Sequence, residues 1–201
     1  MRDQLQQALA KAPGLLQGQR VVGVRSVGGG SVGSSWQVSL SDGEALFVKM
    51  ACAANLQAEQ AGLQALRQWA DLSLLEVPQV LGCLPLGEQS ALVMAWWDLS
   101  SGDQFSLGRG LARLHRLSFA EGPGRFGWDQ DGFIGLGPQP SGWRESWGEA
   151  FTQLRLHPQL CLARQWGLDA QDWEPLLESI AEWLNRHNPE PCLVHGDLWA
   201  G

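Results

Sequence analysis

Read for alternation of apolar and polar positions, the first hundred residues are mostly strand. Residues 3–10 form a short helical pattern stopped by Pro13-Gly14. Arg20–Val27 alternates as a strand, and Trp36–Leu40 and Ala45–Met50 form a hairpin around the turn Ser41-Asp42-Gly43. Asn55–Ala70 shifts to helical spacing, with Leu56, Leu63 and Leu66 on one face. Val77–Gly82 is a proline-started strand. Gln89–Trp97 is an almost unbroken apolar run, as suits a strand buried on both faces, and Asp98-Leu99-Ser100-Ser101-Gly102 ends it.

Beyond Gly102 the pattern is helical. Asp103–Ser118 points Leu107, Leu111, Leu114 and Leu117 or Ser118 inward. Residues 121–142 are rich in Gly and Pro and read as an ordered loop packed through Phe126, Trp128, Phe133 and Ile134. Trp143, Trp147, Phe151 and Leu154 share a helix broken at Pro158. A short helix follows to Gly167, and Asp172–His187 is a strong one with Leu176, Leu177, Ile180, Trp183 and Leu184 inward. Cys192-Leu193-Val194 is a short strand feeding the turn His195-Gly196-Asp197. The expected architecture is α+β in two lobes: a β-rich first lobe, 1–98, with one main helix, and a mostly helical second lobe, 99–201.

Composition narrows the function classes. With 201 residues, 44% of them hydrophobic, the chain can bury one sizeable core or two small ones. Acidic residues outnumber basic ones, 21 to 14, and no basic tract exists, which argues against a nucleic-acid partner. No apolar run approaches the ~20 residues of a membrane span and no signal core opens the chain, so a soluble cytoplasmic protein is expected. Cys52, Cys83, Cys161 and Cys192 are scattered, with no Cys-x-x-Cys and no His read at ligand spacing. They are expected to be buried reduced thiols, neither a zinc site nor a disulfide framework.

The candidate chemistry lies in three places. Gly28, Gly30 and Gly33 match Gly-x-Gly-x-x-Gly, but a strand follows where a dinucleotide-binding fold needs a helix. A glycine flap over phosphates, strand-loop-strand, fits better. Lys49 is one of only two lysines and sits within Leu46-Phe47-Val48-Lys49-Met50, where an unpaired ammonium would be costly. Glu59, three residues after Leu56 and four before Leu63, projects from the apolar face of its helix and is the expected ion-pair partner. Asp197 at the end of His195-Gly196-Asp197 is placed as a general base toward a bound hydroxyl, although an Asp at such a turn can also serve only its own backbone. Ala95, Trp96 and Trp97 are the candidates for a hinge whose backbone reads an adenine edge. His115 reads as structural, and His157 and His187 as helix-end residues without chemistry.

Gly29-Gly30-Ser31, Phe47-Val48-Lys49, Glu59-Gln60-Ala61-Gly62-Leu63, Leu111-Ala112-Arg113-Leu114-His115-Arg116, Arg125-Phe126-Gly127, Asp131-Gly132-Phe133-Ile134-Gly135, Pro138-Gln139-Pro140 and His195-Gly196-Asp197-Leu198-Trp199 together resemble the fructosamine (ketosamine) kinases. That family lies within the wider aminoglycoside-phosphotransferase and protein-kinase-like fold, and the resemblance runs from about Val21 to Gly201. It implies ATP-dependent, Mg²⁺-assisted phosphorylation of a sugar hydroxyl on a small-molecule or protein-bound ketosamine. It assigns phosphate binding to Gly29, Gly30, Ser31, Gly33 and Lys49, support of Lys49 to Glu59, the base to Asp197, loop bracing to His195 and sugar stacking to Trp199. The family's metal-binding Asn and later Asp would lie beyond Gly201, so the 201-residue chain is expected to be inactive, or nearly so, on its own. The glycine loop carries Ser31, Ser34 and Ser35 where some members carry a redox-active cysteine, so no such switch is expected. The rival readings are an aminoglycoside, choline or homoserine kinase of the same fold, and a nucleotide-binding module without catalysis.

Overall fold

Strand pairing organises the first half of the chain. In the computed structural model, which describes residues 2–28, 33–99, 102–167, 173–187 and 189–196, strands β1 (Val21–Val27), β2 (Ser34–Leu40), β3 (Ala45–Ala51), β4 (Val80–Leu86) and β5 (Gln89–Ala95) form one antiparallel sheet. Their order is β1-β2-β3-β5-β4. Strands β3 and β5 are covered on both faces, which explains the unbroken apolar run of β5. Val48, Met50, Ala91 and Val93 join Leu5 and Leu9 of helix α1 (Arg2–Ala10) in one core cluster, and Leu92, Met94 and Ala51 join Leu56 of helix α2 (Ala53–Trp69) in another. Each fully buried leucine or valine in these clusters contributes ~1.5–3 kcal/mol. β4 starts at Val80 rather than Val77 and runs on to Leu86. As an edge strand it tolerates Pro85, which has no N–H to give a further neighbour.

The chain divides into two units, residues 1–111 and 112–201, and the division falls within helix α3 (Gln104–Glu121). Asp103 caps that helix. Its carboxylate accepts the Phe105 amide at 3.0 Å and, on its other oxygen, the Ser106 amide at 3.1 Å and hydroxyl at 2.6 Å. Led by the Ser106 hydroxyl, these bonds hold the Asp103 carboxyl below its ordinary range.

In the second unit several expectations change. The Gly/Pro-rich stretch carries two short ladders where a loop is expected: β6 (Phe126–Trp128) with β9 (Gly142–Arg144), and β7 (Gly132–Ile134) with β8 (Gly137–Gln139). Ile134 turns outward at the end of its strand. Trp143 leaves the expected helix for β9, where its indole N–H donates to Asp129 at 2.8 Å.

Pro158 does not break the helix. Helix α4 (Trp147–Phe151) passes through a π-turn, Thr152–Leu156, into helix α5 (His157–Ala163), and a 3₁₀ turn, Arg164–Trp166, follows. Proline has no N–H for the Leu154 carbonyl, and the Arg155 guanidinium donates to that carbonyl instead, at 2.9 Å. Burial lowers the Arg155 pKa from its ordinary value.

Helix α6 (Glu174–His187) turns Leu177 inward as expected, but Leu176 and Trp183 face outward. It packs on α4 at Gly148, whose amide donates to Asn185 at 2.7 Å, and a Cβ there would lie 2.2 Å from the Ala181 carbonyl oxygen. Residues 189–196 contain no strand. The thiols are also more open than expected: Cys52, Cys83 and Cys161 are free and exposed, and Cys192 is half-buried. Among the described residues no helix is long and apolar enough to cross a membrane.

Candidate active site

The alternation of β3 sorts its side chains. Leu46, Val48 and Met50 go to the α1 face, which leaves Lys49 on the face covered by α2. Helical spacing places Glu59 one turn beyond the buried Leu56, and the two charged groups meet: Lys49 Nζ donates to Glu59 Oε2 at 2.6 Å, with side chains 22% and 31% exposed. The pair is partly open, so the ammonium can reach an anion without leaving its carboxylate.

Backbone geometry brings the end of the glycine stretch to the same strand. Gly33 adopts φ +85°, and a Cβ on it would lie 2.2 Å from the Met50 carbonyl oxygen, so only glycine lets β2 begin this close to β3. Ser35, next on β2, is buried directly across from Lys49. An ammonium near a glycine that permits close backbone approach suits a phosphate chain, which needs both cationic charge and such approach. Gly29, Gly30 and Ser31 lie outside the described residues.

At the end of β5, Trp96 donates its amide to the Ala45 carbonyl at 3.1 Å and so continues the sheet one residue past Ala95. That amide is engaged in the ladder and is not open to a nucleotide base, unlike the expectation for a hinge. Ala95 and Trp97 are exposed. The Trp96 ring lies 6.3 Å from Phe47 and beneath the Arg25 guanidinium at 6.0 Å, its indole N–H on Asp98 at 2.9 Å; Arg25 is itself bonded to Gln37. Sequence reading missed this group, although the strand register, which pairs Arg25 with Gln37 and Gln37 with Phe47, is what assembles it.

In the second unit, the segment leading to the His-Gly-Asp turn is anchored to α3. Ser118, buried on that helix, accepts the Leu193 amide at 2.9 Å. Burial first, and Glu190 second, raise the neighbouring Cys192 thiol pKa. His195 is exposed and Gly196 takes φ +77°. Asp197 and Trp199 lie outside the described residues. Among the described residues no group of three His, Cys, Asp or Glu side chains could hold a metal ion.

The family model for "Fructosamine kinase" matches residues 1–201. The chain is 35% identical to the Synechocystis protein named "Probable ketoamine kinase slr1563", over 88% of this chain and 60% of that protein. It is 33% identical to a chloroplastic protein-ribulosamine 3-kinase of Oryza sativa subsp. japonica, over 90% of this chain and 54% of that protein. The crystal structure of a candidate fructosamine-3-kinase from Haemophilus somnus 129PT superposes with a TM-score of 0.78 at 25% identity, covering 97% of this chain and 65% of that one. The chain thus spans between about half and two-thirds of the length of these relatives. A five-stranded antiparallel sheet with a lysine–glutamate pair, the likeness to this crystal structure and the match along the whole chain lead to one assignment: the chain belongs to the fructosamine kinase family, with its α+β, kinase-like fold.

Proposed function

We propose that the protein is an ATP-dependent kinase that phosphorylates a sugar hydroxyl of ketosamines, with residues 1–98 serving the nucleotide and residues 99–201 the acceptor. The reading is carried by the 2.6 Å pair of Lys49 and Glu59 beside the tight approach of Gly33 to β3, within a chain of this family. ATP supplies the transferred phosphoryl group. Lys49 neutralises phosphate oxygens, and Glu59 keeps its ammonium in place as charge shifts during transfer. Gly29, Gly30, Ser31 and Gly33 leave room for backbone amides to approach the phosphates. Ala95, Trp96 and Trp97 border the base, with Trp96 offering its ring, because its amide serves the sheet.

Asp197 accepts the proton of the acceptor hydroxyl, a role worth ~10²- to 10⁴-fold in rate. His195 braces that turn and Trp199 stacks on the sugar adduct. Mg²⁺ is the expected companion of the triphosphate.

The relatives named ketoamine kinase and protein-ribulosamine 3-kinase support this acceptor class over an aminoglycoside, choline or homoserine. The test is a panel of these acceptors with ATP, using the protein at the length of its relatives. Phosphorylation of a fructosamine or ribulosamine alone is expected. Transfer to another alcohol in preference would change the substrate, and tight ATP binding without transfer to any acceptor would leave a nucleotide-binding module.

A further inference from the structure

The strand register lays two rows of side chains across the sheet face that carries Lys49. One row runs Val27, Ser35, Lys49, and the next runs Arg25, Gln37, Phe47. Two residues of strand, roughly 6.6 Å, separate them. Arg25 stands on β1 and Trp96 just past β5, yet the guanidinium reaches across β2 and β3 to lie 6.0 Å from the centroid of the indole ring. Three further contacts fix this pair. Gln37 accepts a hydrogen bond from Arg25, Asp98 accepts the indole N–H at 2.9 Å, and Phe47 stands 6.3 Å from the ring at a tilt of 35°. Phe47 and Trp96 are only half-buried, so part of each ring is open.

An aromatic wall, a gap of roughly 6.6 Å and an ammonium follow the order of base, sugar and phosphate in a nucleotide. We propose that Arg25 is a positioning residue of the ATP site, holding the Trp96 indole in place as the wall on which the adenine stacks. This rests on the ATP reading above and adds to it a residue from the far edge of the sheet. Without the guanidinium the ring is free to leave its rotamer, and the base must then order it on binding, at a cost in affinity.

Calorimetric titration with ATP and with inorganic tripolyphosphate, using the protein at the length of its relatives, tests this. Trp96→Ala should weaken ATP binding ~5- to 150-fold, the range for stacking one base. Arg25→Ala should weaken it ~2- to 5-fold, the range for an exposed cation–π contact. Tripolyphosphate has no base and should bind both variants as it binds the parent, which also shows that they fold. In the Trp96→Ala background, Arg25→Ala should cost nothing more, because its effect passes through the ring. Equal losses for ATP and tripolyphosphate would put Arg25 on the phosphates or in the fold, and additive losses in the double variant would give it a role apart from Trp96. Either result overturns the proposal. Parental ATP affinity in Arg25→Ala, with loss in Lys49→Ala, would overturn it and leave the ATP reading standing, whereas a parent that binds no ATP would overturn both.

Discussion

The Ser118 hydroxyl accepts the Leu193 amide at 2.9 Å while donating to the His115 carbonyl at 3.1 Å. One buried oxygen thus joins the last full turn of α3 to the segment that leads into His195-Gly196-Asp197, 75 residues further along the chain. Replacing it with alanine leaves a part-buried N–H without its partner, which costs ~1–3 kcal/mol. We predict that Ser118→Ala lowers the unfolding free energy obtained from urea titration by that amount and speeds amide exchange at Leu193. Unchanged exchange there would show that the bond does not hold the segment.

For the lysine–glutamate pair, the prediction separates activity from stability. Lys49→Ala should lower phosphotransfer ~10²-fold or more, the scale of losing one aligned charge in a transition state. Glu59→Gln should reduce it less, because the ammonium stays but loses its brace. Neither should change unfolding free energy by more than ~1 kcal/mol, since the pair is partly open to water. A Lys49→Ala protein with parental turnover would remove this lysine from the phosphate site.

Gly33 answers to two constraints at once: φ +85° and a carbonyl 2.2 Å from where a Cβ would sit. Gly33→Ala should cost ~1–3 kcal/mol through strain and displacement of β2 from β3. ATP affinity, measured by calorimetry, should fall together with stability. Loss of stability alone would mean that this turn is structural and does not touch the nucleotide.

The crossing of α4 and α6 depends on the absence of a side chain at Gly148. Gly148→Ala would press a methyl group against the Ala181 carbonyl oxygen and the Asn185 amide group. Overpacking of this kind costs ~1–3 kcal/mol. Thermal unfolding should show the loss. Gly62→Ala on α2, where no atom lies within 4 Å of a new Cβ, should show none.

The Asp103 cap gives a pH signature. Its carboxyl is held below the ordinary 3.8, so the folded protein binds its proton more weakly than the unfolded chain does. The stabilisation is therefore complete above the ordinary carboxylate value and disappears as pH falls through the lowered folded one. Asp103→Ala should be less stable than the parent at neutral pH, and the two should converge in strong acid. A stability gap that stays constant from neutral pH to pH 2 would show that the cap does not act through its charge.

Much of the first unit was legible because each element repeats its own period. Strand alternation located β1, β2 and β3, and an unbroken apolar run β5, within a residue or two, and helical spacing put Glu59 on the stripe of Leu56, where Lys49 can meet it. The expectation of buried thiols fails, since Cys52, Cys83 and Cys161 are exposed. Other errors have a different source. Trp143 and Trp183 carry strong apolar signals, yet one joins a strand and the other faces solvent, because an aromatic position does not say which neighbour will cover it.

The sequence by itself determined the periodic faces, the glycine and proline positions, the embedded lysine with its glutamate, and the motifs of the family. Tertiary structure decided what depends on residues far apart: that the Trp96 amide bonds Ala45, that Arg155 replaces the hydrogen bond Pro158 cannot make, and that Ser118 holds Leu193. The reason is physical. Local periodicity sets which way a side chain points along its own element, whereas a hydrogen bond needs a second group that only the completed packing brings within 3 Å or so.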